Sequence, residues 1–171
     1  MTLEPDYVEF LTDDLTPALA RMAELTERQE GWINFEPAVN TDDLPPPRTG
    51  LAGLITGLGP DVPVATWTPG VRLAATGAGS GTRPRGRPHP PNIGVHHGAG
   101  PGARARLDAA RHPVPEGWVV LQDHSKRGLV VAVPQAVAHA DVLGWLLRAA
   151  ALLSTVPLDR EWRAAVYLRS R

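Results

Sequence analysis

Residues 92–97 read NIGVHH, residues 118–133 read WVVLQDHSKRGLVVAV, and residues 162–169 read WRAAVYLR. The middle stretch holds two apolar runs separated by Ser125-Lys126-Arg127-Gly128, a tight turn, so it reads as a hairpin of two strands ending at Pro134. In the last stretch Trp162, Ala164, Val166 and Leu168 alternate with Arg163, Ala165, Tyr167 and Arg169, the period of a half-buried strand. Asn92 to His97 is a third type of run, short and followed by the turn Gly98-Ala99-Gly100-Pro101-Gly102.

Helical patterns fill the two gaps. Ala103 to Arg111 follows the Gly-rich turn, with Leu107 facing inward. Asp141 to Ser154 carries the strongest stripe in the chain: Val142, Leu146, Ala149 and Leu153 on one line, with Leu143, Leu147 and Ala150 beside it. Pro157 ends that region. The order strand, helix, strand, strand, helix, strand is that of a ferredoxin-like, split βαβ unit. The expectation for residues 92–171 is an α+β unit with two helices on a four-stranded antiparallel sheet.

Upstream of this unit the pattern is less regular. Tyr7, Phe10, Leu11 and Leu15 fit the i, i+3, i+4 spacing of a buried helical stripe, so the N-terminus reads as helix. Thr16-Pro17 reads as an N-cap with Pro at the first helical position, and Leu19, Met22 and Leu25 extend a stripe until Gly31. Trp32 to Phe35 reads as a short strand. Residues 40–61 are loop-like, with Pro45, Pro46 and Pro47 in succession. Val62 to Thr68 reads as a strand at a sheet edge, because Pro63 cannot donate to a ladder. Residues 1–75 therefore form an N-terminal acidic lobe of helix and strands packed on the C-terminal unit. Residues 76–91, rich in Gly, Pro and Arg, read as a flexible loop within what is expected to be one compact domain.

Composition removes several function classes. There is no cysteine, which excludes disulfides, thiolate metal sites and a cysteine nucleophile. No apolar run reaches the roughly 18 residues of a membrane span, and the first residues lack a basic-then-apolar leader, so the expected location is cytoplasmic. The basic residues are 16 Arg and one Lys amid abundant Ala, Gly and Pro, the composition expected of a GC-rich bacterial genome. Residues 1–61 carry 12 acidic and 3 basic side chains, and residues 62–171 carry 6 acidic and 14 basic ones, so a net charge of −1 conceals an acidic and a basic half. The near-zero total favours internal complementarity over a nucleic-acid face.

If the ferredoxin-like topology holds, the first and second strands of the unit run parallel with the third between them. Their C-terminal ends then share one sheet edge, which collects His96, His97, Asp123 and His124 as candidate catalytic groups. Two strand spacings separate them by about 10 Å. The same edge holds the turn Gly98, Gly100, Gly102 before a helix N-terminus, with Lys126 and Arg127 on the neighbouring hairpin, as a candidate anion-binding set. The turn matches neither dinucleotide-binding nor P-loop spacing, and adjacent histidines on a strand point to opposite faces, so no metal site or cofactor is expected. There is no G-x-S-x-G elbow and no H-E-x-x-H helix. Strands 93–97 and 129–133 contain no aromatic residue for base stacking, which argues against RNA recognition through the sheet. Both faces of the hairpin strands look apolar, which implies cover on each side, by the N-terminal lobe or by a second copy in a homodimer.

The expected function is a non-catalytic binding or regulatory module for a small anionic ligand or a protein partner. The alternatives are a small hydrolase or transferase using the His/Asp cluster, and nucleic-acid binding through Arg83, Arg85 and Arg87.

Overall fold

The computed structural model describes residues 4–45, 59–71 and 88–168. In chain order its elements are β1 (Asp6–Leu11), α1 (Thr16–Arg28), β2 (Trp32–Pro37), a 3-10 turn (Thr41–Asp43), β3 (Val64–Thr68), β4 (Asn92–His96), α2 (Ala103–Ala109), β5 (Val119–His124), β6 (Gly128–Ala132), α3 (His139–Leu153) and β7 (Glu161–Tyr167). The protein is α+β, and the described strands form one open antiparallel sheet in the order β1-β7-β2-β3-β4-β6-β5.

The C-terminal elements appear as the sequence predicts, and β4 and β5 flank β6. The ferredoxin-like four-stranded sheet does not form. In that arrangement β7 would pair with β4, but β2 and β3 stand between them, giving seven strands. The N-terminal strands therefore enlarge the sheet edge-on instead of packing on it as a separate lobe. The loop Arg83–Arg87 lies outside the described residues.

Two further expectations are corrected. Tyr7, Phe10 and Leu11 lie on a strand, not a helix. Over six residues the same apolar set also fits a period of two, with Val8 and Phe10 on one face and Tyr7, Glu9 and Leu11 on the other. Pairing along β7 from Asp6↔Val166 to Leu11↔Glu161 satisfies the inner-edge backbone groups of β1, which decides between the two periods. Strand β3 is not an edge. It starts one residue after Pro63, so every strand residue retains its N–H, and it is paired by β2 on one side and β4 on the other.

Helix α1 runs from Thr16 with Pro17 in its first turn, and Thr16 N donates to Asp14 Oδ1 at 3.1 Å. It ends where Gln29 and Gly31 take positive φ. The long helix α3 buries the whole predicted stripe, including Leu143, Leu146 and Leu153. All apolar strand residues of one parity face the helices: Phe10, Ile33, Phe35, Trp67, Ile93, Val95, Leu129, Val131 and Trp162 are buried in a single core. Trp67, Trp145 and Trp162 are core residues.

The opposite parity forms a face that no described helix covers. The pairing registers align it in three rows across the strands. One row begins with Tyr167 and Trp32, whose rings stack at 4.8 Å, and continues through Thr68, Asn92 and Ala132. The middle row is Tyr7, Ala165, Asn34, Thr66, Gly94 and Val130. The third begins Glu9, Arg163, Glu36 and ends with His96 and His124. Large side chains thus gather on β1, β7 and β2, and small ones on β4 and β6.

Candidate functional site

The strand directions bring the predicted edge together, and the side chains there are engaged with the protein's own backbone. Asp123 lies on the helix-facing side of β5, paired with Leu129. Its Oδ1 accepts from Ala103 N at 3.0 Å and its Oδ2 from Arg104 N at 3.1 Å. These are the first amides of α2, whose own N-cap, Gly102 at φ +74, has no side chain. The helix terminus that was a candidate anion site is therefore capped by a carboxylate from a neighbouring strand. Gly98, Gly100 and Gly102 shape the connection, two of them at positive φ, and Gly98 packs against Pro60 so closely that a Cβ would lie 2.8 Å from its carbonyl oxygen.

His124 Nδ1 accepts from Lys126 N at 3.0 Å and from Arg127 N at 3.3 Å, closing the β5–β6 turn. That nitrogen carries a lone pair, so the proton of the neutral ring is on Nε2. His96, on the open face, places Nε2 2.8 Å from the Lys126 carbonyl oxygen, which makes Nε2 the donor. His97 faces the other way and is fully buried, with no hydrogen-bond partner for either ring nitrogen among the described residues. Burial lowers its pKa below 6.5; the charge of Asp123 opposes that shift, while His96 and Arg106 add to it. Gly59 seals this corner: its N–H donates to Ser125 O at 3.2 Å, and a Cβ on it would meet His97 O at 2.1 Å.

The set therefore divides. His96 and Arg127 line a shallow groove of about 230 Å³ on the open face above Gly94. His97 and Asp123 lie on the helix side. Among the described residues, no group of three His, Asp or Glu side chains is placed to hold a metal ion.

A different cavity collects groups that the sequence reading left aside. It occupies about 280 Å³ between the end of α1, the start of α3 and the ends of β3 and β6, lined by Thr26, Gln29, Trp67, Pro91, Gln135 and His139 among others. The Thr26 hydroxyl donates to Met22 O at 2.8 Å, so its single proton is committed. The 3.0 Å contact between His139 Nε2 and Thr26 Oγ1 must then have the imidazole as donor. This fixes the tautomer, with the lone pair on Nδ1. Burial lowers the pKa of His139, and its ring meets Trp67 edge-on at 5.6 Å.

His139 opens α3, and the N-cap Ala138 has no side chain able to cap the first turn. From sequence, His139 reads as a helix-boundary residue, capping or solvent-exposed, whereas the structure half-buries it. The only signal in the chain was its position as the first residue of a long helix without Ser, Thr, Asp or Asn before it. His112, the other boundary histidine, is structural: its Nε2 lies 3.0 Å from Trp145 O and its ring stacks on Trp145 at 5.2 Å.

Among the described residues no helix is long and apolar enough to cross a membrane. No protein-family model, curated protein or solved structure matches this chain.

Proposed function

We propose that this chain is a non-catalytic binding module whose small anionic ligand occupies the cavity between α1 and α3. The observation that carries this reading is the opening of a fifteen-residue helix, whose N-cap Ala138 offers no side-chain acceptor, onto a hollow of ligand size. The positive end of α3, whose first turn also carries Asp141, suits an anionic head group, and the lone pair on His139 Nδ1 accepts from a ligand O–H or N–H. Trp67, Pro91, Val133 and Val142 supply an apolar wall for the body of the ligand. A volume near 280 Å³ corresponds to the small end of ligand pockets, about 300 Å³ upward, and suits a molecule the size of an aromatic carboxylate.

Catalysis at the His/Asp edge has weaker support. Asp123 is held as a helix cap and His124 as a turn acceptor, leaving neither free to orient a base.

The test is a titration with a panel of aromatic and aliphatic carboxylates and inorganic phosphate, followed by tryptophan emission and thermal shift. A saturable response weakened by His139→Phe and by Thr26→Val, and unchanged by His124→Ala, is expected. A panel without any response, or a response indifferent to both cavity substitutions, refutes the assignment. Ester or phosphoester hydrolysis abolished by His96→Ala or His124→Ala would replace it with the hydrolase or transferase reading.

A further inference from the structure

We infer that the open sheet face is the contact surface for a second copy of this chain, related by a two-fold axis parallel to the strands and lying over β3. Strand β3 is the middle of the seven, so such an axis sets β1 of one copy over β5 of the other, β7 over β6, and β2 over β4. It also preserves the position along the strands, so each row of the face meets itself in reverse.

Three independent features match under this operation. The first is size. Trp32 and Tyr167 come over Asn92 and Ala132 of the second copy, Asn34 over Gly94, and Arg163 over Gly128, so bulky positions meet small ones. The shallow groove above Gly94 is the receiving hollow. A two-fold axis running across the strands would instead set Trp32 over Glu36 and leave the Gly94 hollow facing another small residue.

The second feature is charge. A hollow of about 560 Å³ at the C-terminal ends of β1 and β2 is lined by Glu9, Glu36 and Glu161 around Arg163. Arg163 is committed within its own chain, donating from Nη2 to Glu36 Oε2 at 2.6 Å and lying 4.5 Å over the Tyr7 ring. Strands β1, β2, β4 and β5 all run the same way, so the β5–β6 turn with Lys126 and Arg127 lies at that same end of the sheet. The axis along the strands carries this basic turn to the acidic hollow of the other copy, twice per dimer.

The third feature is the edges. The large apolar side chains most exposed on the strands are Tyr7 at 51% on β1, and Val119 at 57% and Leu121 at 58% on β5. These are the two strands that the axis superposes. The face spans about 29 Å across seven strands and about 20 Å along them, a footprint at the lower end of what specific interfaces need. The association is accordingly a reversible one.

Sedimentation equilibrium on the full chain over a concentration series tests this. The native protein is expected to dimerise. Gly94→Arg leaves its own fold intact, since a Cβ there meets nothing nearer than Leu129 O at 3.6 Å, and fills the receiving hollow. It should weaken association by at least about tenfold. Lys126→Glu with Arg127→Glu should weaken it similarly, as should Glu9→Lys with Glu161→Lys, and the four substitutions together should restore it. Circular dichroism and melting temperature verify that each variant folds. A native chain that stays monomeric throughout, a dimer indifferent to Gly94→Arg, or a quadruple variant without recovery would each overturn the proposal.

Discussion

Asp123 is the residue whose replacement most directly separates a structural role from a chemical one. Its two carboxylate oxygens cap Ala103 N and Arg104 N at 3.0 and 3.1 Å. Helix α2 is short, its own N-cap is glycine, and it buries Ala103 and Leu107 completely. Asp123→Ala removes both acceptors. Each such bond contributes about 0.5–1.5 kcal/mol net, and loss of an N-cap costs about 0.5–2 kcal/mol, so the expected destabilisation is about 2 kcal/mol. Asp123→Asn keeps one acceptor and turns an NH₂ toward the other amide, for an expected loss of about 1 kcal/mol. In a chain of this size these correspond to falls in Tm of about 2–4 °C per kcal/mol. Urea unfolding followed by far-ultraviolet circular dichroism measures them, with the midpoint lowered and the slope unchanged. An alanine variant within about 0.5 kcal/mol of the native protein would refute the capping argument. So would an asparagine variant as damaging as alanine.

The histidines make stability depend on pH. Burial places the folded pKa of both His97 and His139 below the ordinary 6.5, so the unfolded chain takes up their protons first as the solution is acidified. The stability they confer is complete above 6.5 and drains away as pH falls through their folded values, so the urea midpoint should decline from about pH 6.5 downward. His97→Leu removes two buried nitrogens that lack partners; it should raise stability at neutral pH by about 1 kcal/mol and flatten that decline, and a steeper decline would contradict it. Gly128→Ala should cost more than about 2 kcal/mol, because φ is +79 and the new Cβ would lie 2.2 Å from Val95 O on the paired strand. Gly94→Ala, with ordinary contacts only, should stay within about 0.5 kcal/mol of the native value; thermal melts of the two variants side by side decide this contrast.

Asp123 also connects stability to function. Because a strand carboxylate caps the start of α2, the helix start without a side-chain cap that borders a cavity among the described residues is that of α3. The proposed anion site thus lies at a different helix terminus from the one expected from sequence, across the cavity from the end of α1 with Glu27. The open face is a separate resource. On it β4 and β6 present Asn92, Gly94, Val130 and Ala132, with the His96 imidazole at one end and no Phe, Tyr or Trp. The aromatic pair Trp32 and Tyr167 lies on β2 and β7, at the opposite end of those strands from the glutamate-lined hollow.

What the residues determined by themselves was local and periodic. The α3 stripe extends over four turns, long enough that only the helical period fits it, and the turn Ser125 to Gly128 between two apolar runs admits little but a hairpin. Those elements, with the short runs at 92–97 and 162–169, were legible, and so was the placing of β4 and β5 on either side of β6. The six residues of β1 were not: their apolar positions fit both periods, and the ladder with β7, some 150 residues distant, chose the strand. Pairing likewise decided that β2 and β3 enter between β7 and β4, since a strand's hydrogen-bonding edge carries no record in its sequence of which partner it meets. The polar side chains followed the same division. The sequence brought His96, His97, Asp123 and His124 to one end of the sheet, but only the folded backbone supplied the amides and carbonyls that engage three of them and the walls that bury the fourth. The cavity at His139 has no local signature beyond a helix start without a capping residue, because its lining comes from α1, β3, β6 and α3 and exists only once the core has packed.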